Sequence, residues 1–183
     1  MADLSEPLRT MKRILILLLA LIPFIAGAQE YILSDETTAD GRLIETKPYA
    51  FFSNGKMYLI GFSYLKGEKY EVYMTTIVST EQSSQWEVPA GGQAVFKMAK
   101  GNRITLKSIT ESTSEYEAPN DYTITSSYII PIAKAHDMLD AIKDVFVYMK
   151  NGGDSDIVNI KVPYDAASFL MMSYLELLSK TGR

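Results

Sequence analysis

The stretch YAFFSNGKMYLIGFSYLKGEKYEVYMTTIVS, residues 49–79, decides the fold class. Asn54-Gly55 is a strong hairpin signal, because a type I′ turn needs positive φ at both central positions and these residues tolerate it. It joins 49–53 to 56–65. Gly67-Glu68 places Gly first, as a type II′ turn requires, and joins 56–65 to 69–79. The segments between are rich in Tyr, Phe, Ile, Val and Thr, side chains that suit a pleated surface. With Gly67-Glu68 as a two-residue turn, Phe62 falls opposite Tyr73, Tyr58 opposite Ile77, and Gly61 opposite Met74. Both faces of this pair carry apolar side chains, which predicts that at least part of the sheet is covered on both sides, by helices or by another sheet.

Downstream, Gly101-Asn102 repeats the Gly-first turn and predicts a hairpin of 93–100 with 103–110. Tyr122, Ile124, Tyr128 and Ile130 alternate with Thr123, Thr125 and Ser127, the pattern of a one-face strand. Then the period changes. Ala135, Met138, Leu139, Ile142 and Val145 recur at three- and four-residue spacing and predict a short amphipathic helix, Ala135–Asp144. Asn151-Gly152-Gly153 reads as a turn and Ile157–Val162 as a strand stopped by Pro163. Asp165 is expected as the N-cap of a terminal helix, Ala166–Leu178, with Ala167, Leu170, Met171, Tyr174 and Leu178 on its core stripe. The polar stretch 29–46 reads as a flexible lead-in. Together these predict one α+β domain over 47–183: an antiparallel meander of about six to eight strands, with two helices of the C-terminal third packed on it.

Composition narrows the chemistry. The 183 residues include 18 Lys+Arg, 22 Asp+Glu, one His and no Cys. Without Cys there is no disulfide, thiolate metal site or thiol nucleophile. One His excludes any site that needs two imidazoles. Mild acidity argues against a partner bound through its phosphate backbone, so nucleic acid is not expected. No cofactor is expected either: Gly91-Gly92 and Gly152-Gly153 lack the Lys-Ser/Thr of a P-loop and the spacing of a dinucleotide fingerprint.

The N-terminal region carries an address. Lys12 and Arg13 precede the apolar run Ile14–Ala26, broken only by Pro23, and Ala26-Gly27-Ala28 is a small-x-small cleavage site. Gln29 and Glu30 follow at once, whereas a membrane anchor needs about 20 apolar residues. The run therefore reads as a secretory signal cut between Ala28 and Gln29. Met11-Lys12-Arg13 is the ordinary opening of such a signal; Asp3 and Glu6 before it are foreign to one. Cleavage removes Arg9, Lys12 and Arg13 together with Asp3 and Glu6, leaving 15 basic and 20 acidic residues, a net charge of −5. With no Cys to lipidate, the mature chain is expected to be periplasmic or secreted, with no stable membrane span, and not a lipoprotein.

The C-terminal third combines the helix Ala135–Asp144, the turn Asn151-Gly152-Gly153, the strand Ile157-Val158-Asn159-Ile160-Lys161-Val162, the pair Tyr164-Asp165 and a closing apolar helix. In this it resembles a family of small exported proteins, of unknown function, from Gram-negative gut commensals. The resemblance covers about 50 residues, with the preceding meander in outline. It departs in basic residues around the strand, of which this chain has only Lys150 and Lys161. It implies the α+β fold and export, and it brings no catalytic residues.

Candidate sites are few. His136 adjoins Asp137, but neighbours on a helix point about 100° apart, and no G-x-S-x-G elbow presents a nucleophile. Asp154-Ser155-Asp156 resembles the start of a calcium loop, yet the fifth and twelfth positions hold Val158 and Asp165, so a solvated turn is the better reading. Glu111, Glu115 and Glu117 fall in a polar segment with nothing to fix their separation across a cleft. Trp86, the only tryptophan, lies in the mostly polar stretch 80–93, and Tyr116 in the polar segment 111–121. Such aromatics can be stacking platforms for a glycan or peptide, or can fold back to cap the core. The expectation is a non-enzymatic binding or interaction module with an envelope or extracellular partner. A carboxylate-dependent hydrolase and a structural subunit of a cell-envelope assembly are the alternatives.

Overall fold

The computed structural model describes residues 31–81, 86–118 and 121–182. The signal run and the Ala28/Gln29 cleavage site lie outside the described residues. The first hairpin pairs β1 (Ile32–Thr38) with β2 (Gly41–Thr46). β3 (Tyr49–Ser53), β4 (Lys56–Lys66) and β5 (Glu71–Glu81) follow as a meander. Next come β6 (Trp86–Val88), β7 (Gln93–Met98), β8 (Arg103–Ser108), β9 (Ser112–Thr113), β10 (Glu115–Ala118) and β11 (Asp121–Ile130). Two 3-10 turns, Ile132–Lys134 and His136–Leu139, lead to β12 (Ile142–Asn151), β13 (Asp154–Lys161) and α1 (Tyr164–Thr181).

This overturns the α+β expectation. Over the described residues the protein is mostly β, with 13 antiparallel strands in one sheet and one long helix. The predicted helix Ala135–Asp144 is instead a pair of 3-10 turns and the start of β12. Met138, Ile142 and Val145 suit a period of 3.6, but from Ile142 onward the burial alternates, with Val145, Val147 and Met149 inside. Three of the inward side chains there are β-branched, which favours the strand. Asp140 also ends the turn locally, its carboxylate accepting from the N–H groups of Ala141 and Lys100. The stretch read as a lead-in holds the β1–β2 hairpin from Ile32 onward. There Gly41 sits at φ 129°, and a Cβ on it would lie 2.0 Å from the Lys66 carbonyl oxygen. The segments read as polar loops likewise carry β6, β9 and β10.

Turn chemistry worked where it was most specific. Asn54 and Gly55 adopt φ 51° and 78°, a two-residue I′-type connection with Ser53 opposite Lys56. The β4–β5 connection is longer than a II′ turn: Lys66 pairs with Glu71, so Phe62 meets Thr75, Tyr58 meets Ser79 and Tyr64 meets Tyr73. The register is displaced by two residues, and an even shift leaves every side chain on its expected face. Tyr58, Ile60, Phe62 and Tyr64 accordingly point into the core, while Leu59, Leu65, Met74 and Val78 are buried on the other face. The β7–β8 connection is likewise longer than the two residues expected, with Lys97 opposite Arg103 and Gly101 at φ 96°.

The sheet curls until its two ends meet. Along β3, β4, β5, β11, β8, β7, β12 and β13 each strand pairs with the next. At the closing seam the Lys161 N–H donates to Ser53 Oγ (2.9 Å) and Asn54 Nδ2 donates to the Asn159 carbonyl (2.8 Å). A ring of about eight strands leaves an interior that side chains fill. Here Tyr58, Tyr64, Tyr73, Tyr128 and Phe96 do so, together with α1. The helix contributes Ala166, Leu170, Tyr174, Leu177 and Leu178 to the same core. Its N-cap is Pro163, not Asp165; Asp165 lies in the first turn, and Gly182 in the αL conformation ends the helix. Aromatic contacts clasp it to the sheet: Phe169 packs on Tyr31 (5.1 Å) and Tyr49 (4.8 Å), and Tyr174 edges onto Phe62 (4.9 Å). All of this belongs to one compact unit, Tyr31–Arg183.

Candidate functional site

The two aromatics singled out from sequence are placed differently. Trp86 opens β6, and because Glu87 turns outward and Val88 is buried, the indole faces the interior, half-buried against the core. Lys56 Nζ stands 5.1 Å from its ring centroid, so one face of the indole is already occupied by a cation. Ser114 N–H donates to the Trp86 carbonyl and ties β9 to β6. Tyr116, on β10, is 63% exposed and meets Tyr122 edge-on at 5.6 Å. Trp86 thus has the contacts of a core cap, and Tyr116 those of a surface ring on a short strand.

The other candidates stay apart. His136 is exposed in the second 3-10 turn, and Asp137 pairs with Lys134 at 3.0 Å. Asp154 and Asp156 are exposed, Asp156 accepting from the Ile157 N–H at 2.7 Å. Glu111 and Glu115 are exposed as well. Among the described residues no group of three or more His, Asp or Glu could hold a metal. The buried carboxylate among them is Glu45, which accepts from Ser34 Oγ at 3.2 Å; burial raises its pKa, with the Ser34 bond opposing. Asp165 is held below the usual carboxylate range, chiefly by the Tyr49 hydroxyl that donates to it at 2.9 Å. This bond joins β3 to the first turn of α1 and has the geometry of a brace.

A cavity bounded by β4, β5, β11, β12 and β13, with Tyr58, Ser79, Ser126 and Met149 in its wall, has a free volume of about 10 Å³. That is the space one water molecule needs.

The outer face of β8–β7–β12–β13 is different. The register sets Arg103, Lys97, Asp144 and Lys161 in one row across the four strands. The next row holds Thr105, Val95, Phe146 and Asn159. One step further, Lys107 opposes Gln93 and Tyr148 opposes Ile157. Tyr148 is 40% and Ile157 51% exposed, with half-buried Phe146 and Val95 beside them. Lys97 pairs with Asp144 at 3.7 Å, and Lys150, at the margin, pairs with Glu87 at 3.2 Å. Sequence reading missed this surface. Each strand contributes three or four alternate residues, and the pairing register alone brings them together.

No family model, curated protein or solved structure matches the chain. Among the described residues no helix is long and apolar enough to cross a membrane.

Proposed function

We propose that this protein is an exported, non-enzymatic binding module of the periplasm or the cell exterior, of the kind its C-terminal resemblance to small exported proteins implies. Its binding surface is the outer face of β8–β7–β12–β13. The observation that carries this reading is the cluster of Phe146, Tyr148, Ile157 and Val95, which stand together at the surface of a pleated sheet bordered by amides and charges. Aromatic side chains held on a rigid sheet present large, pre-oriented contact area at little entropic cost, and exposed apolar clusters of this type mark interaction sites. Ligands in reach are a glycan or a peptide, and the reaction-free reading needs no cofactor.

The test has two parts. Fractionation of expressing cells with N-terminal sequencing should place the protein outside the cytoplasm, beginning at Gln29 or a neighbour; an intact residue 1–28 segment on the purified native protein would refute export. On a glycan and peptide array, Tyr148→Ala should lose binding at unchanged melting temperature. Trp86→Ala should lower the melting temperature and leave the affinity of the remaining folded protein unchanged. The reverse pattern would return the site to the Trp86 end of the molecule.

A further inference from the structure

We infer that the outer face of β8–β7–β12–β13 recognises an anionic polysaccharide, one that carries carboxylates along a chain of sugar rings. The inference rests on the binding-module reading and adds the ligand class. Its basis is charge set against composition. The chain as a whole is acidic, with 18 Lys+Arg against 22 Asp+Glu. Yet on this one face five cations, Lys97, Arg103, Lys107, Lys150 and Lys161, stand beside two anions, Asp144 and Glu87. The two anions are committed to Lys97 and Lys150. Arg103, Lys107 and Lys161 have no acidic partner among the described residues. Three unneutralised cations around an aromatic centre complement a negatively charged partner and repel a positive one.

The layout selects among anionic partners. Row by row, the cations border the neutral lane of Thr105, Val95, Phe146 and Asn159. Strands lie about 4.8 Å apart and alternate residues about 6.8 Å apart along a strand. A chain crossing the strands on that lane therefore has Arg103, Lys97 and Lys161 along one flank and Lys107 on the other. Phe146 and Tyr148 supply ring faces for the apolar sides of sugars, while Thr105, Asn159 and Gln93 suit hydroxyl groups. Three widely spaced free cations suit a polymer with one carboxylate per sugar. A nucleic acid, with a phosphate at every nucleotide, draws on a denser basic surface. Strand addition is a poor alternative at β13, because Ser53, Asn54 and Asp156 side chains occupy backbone groups of its outer edge.

The experiment uses the purified protein and a polygalacturonate of defined length, with the fully methyl-esterified polymer as an uncharged control on the same backbone. Poly-glutamate, a single-stranded oligonucleotide and anionic phospholipid vesicles form the other arms. Binding to the uronate polymer is expected at low ionic strength, weakened by salt as screened charges are. The ester should bind at least about tenfold more weakly, and Arg103→Glu with Lys107→Glu should cost the uronate a similar factor at unchanged melting temperature. Equal binding of polymer and ester, or preference for poly-glutamate, oligonucleotide or vesicles through Tyr148, would overturn the ligand class and leave the binding surface standing. If no arm binds in a Tyr148-dependent way, the binding-module reading falls with it.

Discussion

The hydroxyl of Tyr174 offers a sharp test of the core. The side chain is fully buried in α1, its ring edges onto Phe62 at 4.9 Å and approaches Tyr73 at 6.5 Å, and its hydroxyl has no hydrogen-bond partner among the described residues. Burial, with the Tyr73 phenol adding to it, pushes its pKa well above the ordinary tyrosine value. A buried hydroxyl without a partner costs about 1–3 kcal/mol of desolvation. Tyr174→Phe keeps every ring contact and removes only that oxygen, so stability should rise, by about 1–2 kcal/mol after allowing for the small void left behind. For a domain of this size that corresponds to a gain of about 2–8 °C in melting temperature. Tyr73→Phe is the control. Its hydroxyl meets Thr181 Oγ1 at 2.7 Å, and losing that bond should cost about 0.5–1.5 kcal/mol. Urea unfolding of both variants, read as a shift in midpoint at constant slope, separates the two effects. A loss of 1 kcal/mol or more in Tyr174→Phe would refute the reasoning, because the hydroxyl would then have to be bonded.

Two further outcomes follow from the interior. Burial lifts the Tyr128 pKa to about 12, with the Ser126 hydroxyl opposing, so the phenol keeps its proton in the folded chain after the unfolded chain has begun to lose it. Its contribution is therefore intact below pH 10 and drains away as pH rises toward 12, about 2–3 kcal/mol in all; Tyr128→Phe should flatten that part of an alkaline stability profile, and an unchanged profile would count against it. Leu170 is fully buried on the inner stripe of α1, and Leu170→Ala should cost about 2–5 kcal/mol in thermal or urea unfolding; a wild-type midpoint would mean the helix is not part of the core.

What could be read from the sequence divides along a physical line. Interactions spanning a few residues were legible. Asn54-Gly55 specified its own turn, the alternation through Tyr122–Ile130 specified β11, and the stripe Leu170–Tyr174–Leu178 specified the inner face of α1. Interactions settled by distant partners were not. The lead-in 29–46 looked polar because β1 faces water: Asp35 and Glu36 are exposed, and Asp35 forms a fork with Arg42 at 2.8 and 2.9 Å. Its strand character comes from pairing with β2, which pairs with β4. Edge and rim strands such as β6, β9 and β10 borrow their order from neighbours, so their own composition carries little signal.

The same line explains the site. Trp86 attracted notice because it is unique, but uniqueness is a property of composition, and its half-buried ring under Lys56 does the work of packing. The outer face of β8–β7–β12–β13 consists of common residues at ordinary alternation. Lys97, Arg103, Lys107 and Lys161 are each unremarkable outward side chains on a strand whose other face is core. They become a surface because an antiparallel ladder fixes register to the residue, and a one-residue slip at any of three pairings would send a cation inward and an apolar side chain out. Core packing therefore holds the face together from behind. Ala94, Phe96, Leu106, Val145, Val147 and Ile160 are all buried, and each locks the neighbour that points to solvent. A cavity behind the face should accordingly loosen the rows without touching any outward residue. Substitution at Val147 would then weaken binding in step with stability, whereas substitution at Lys107 would weaken binding alone.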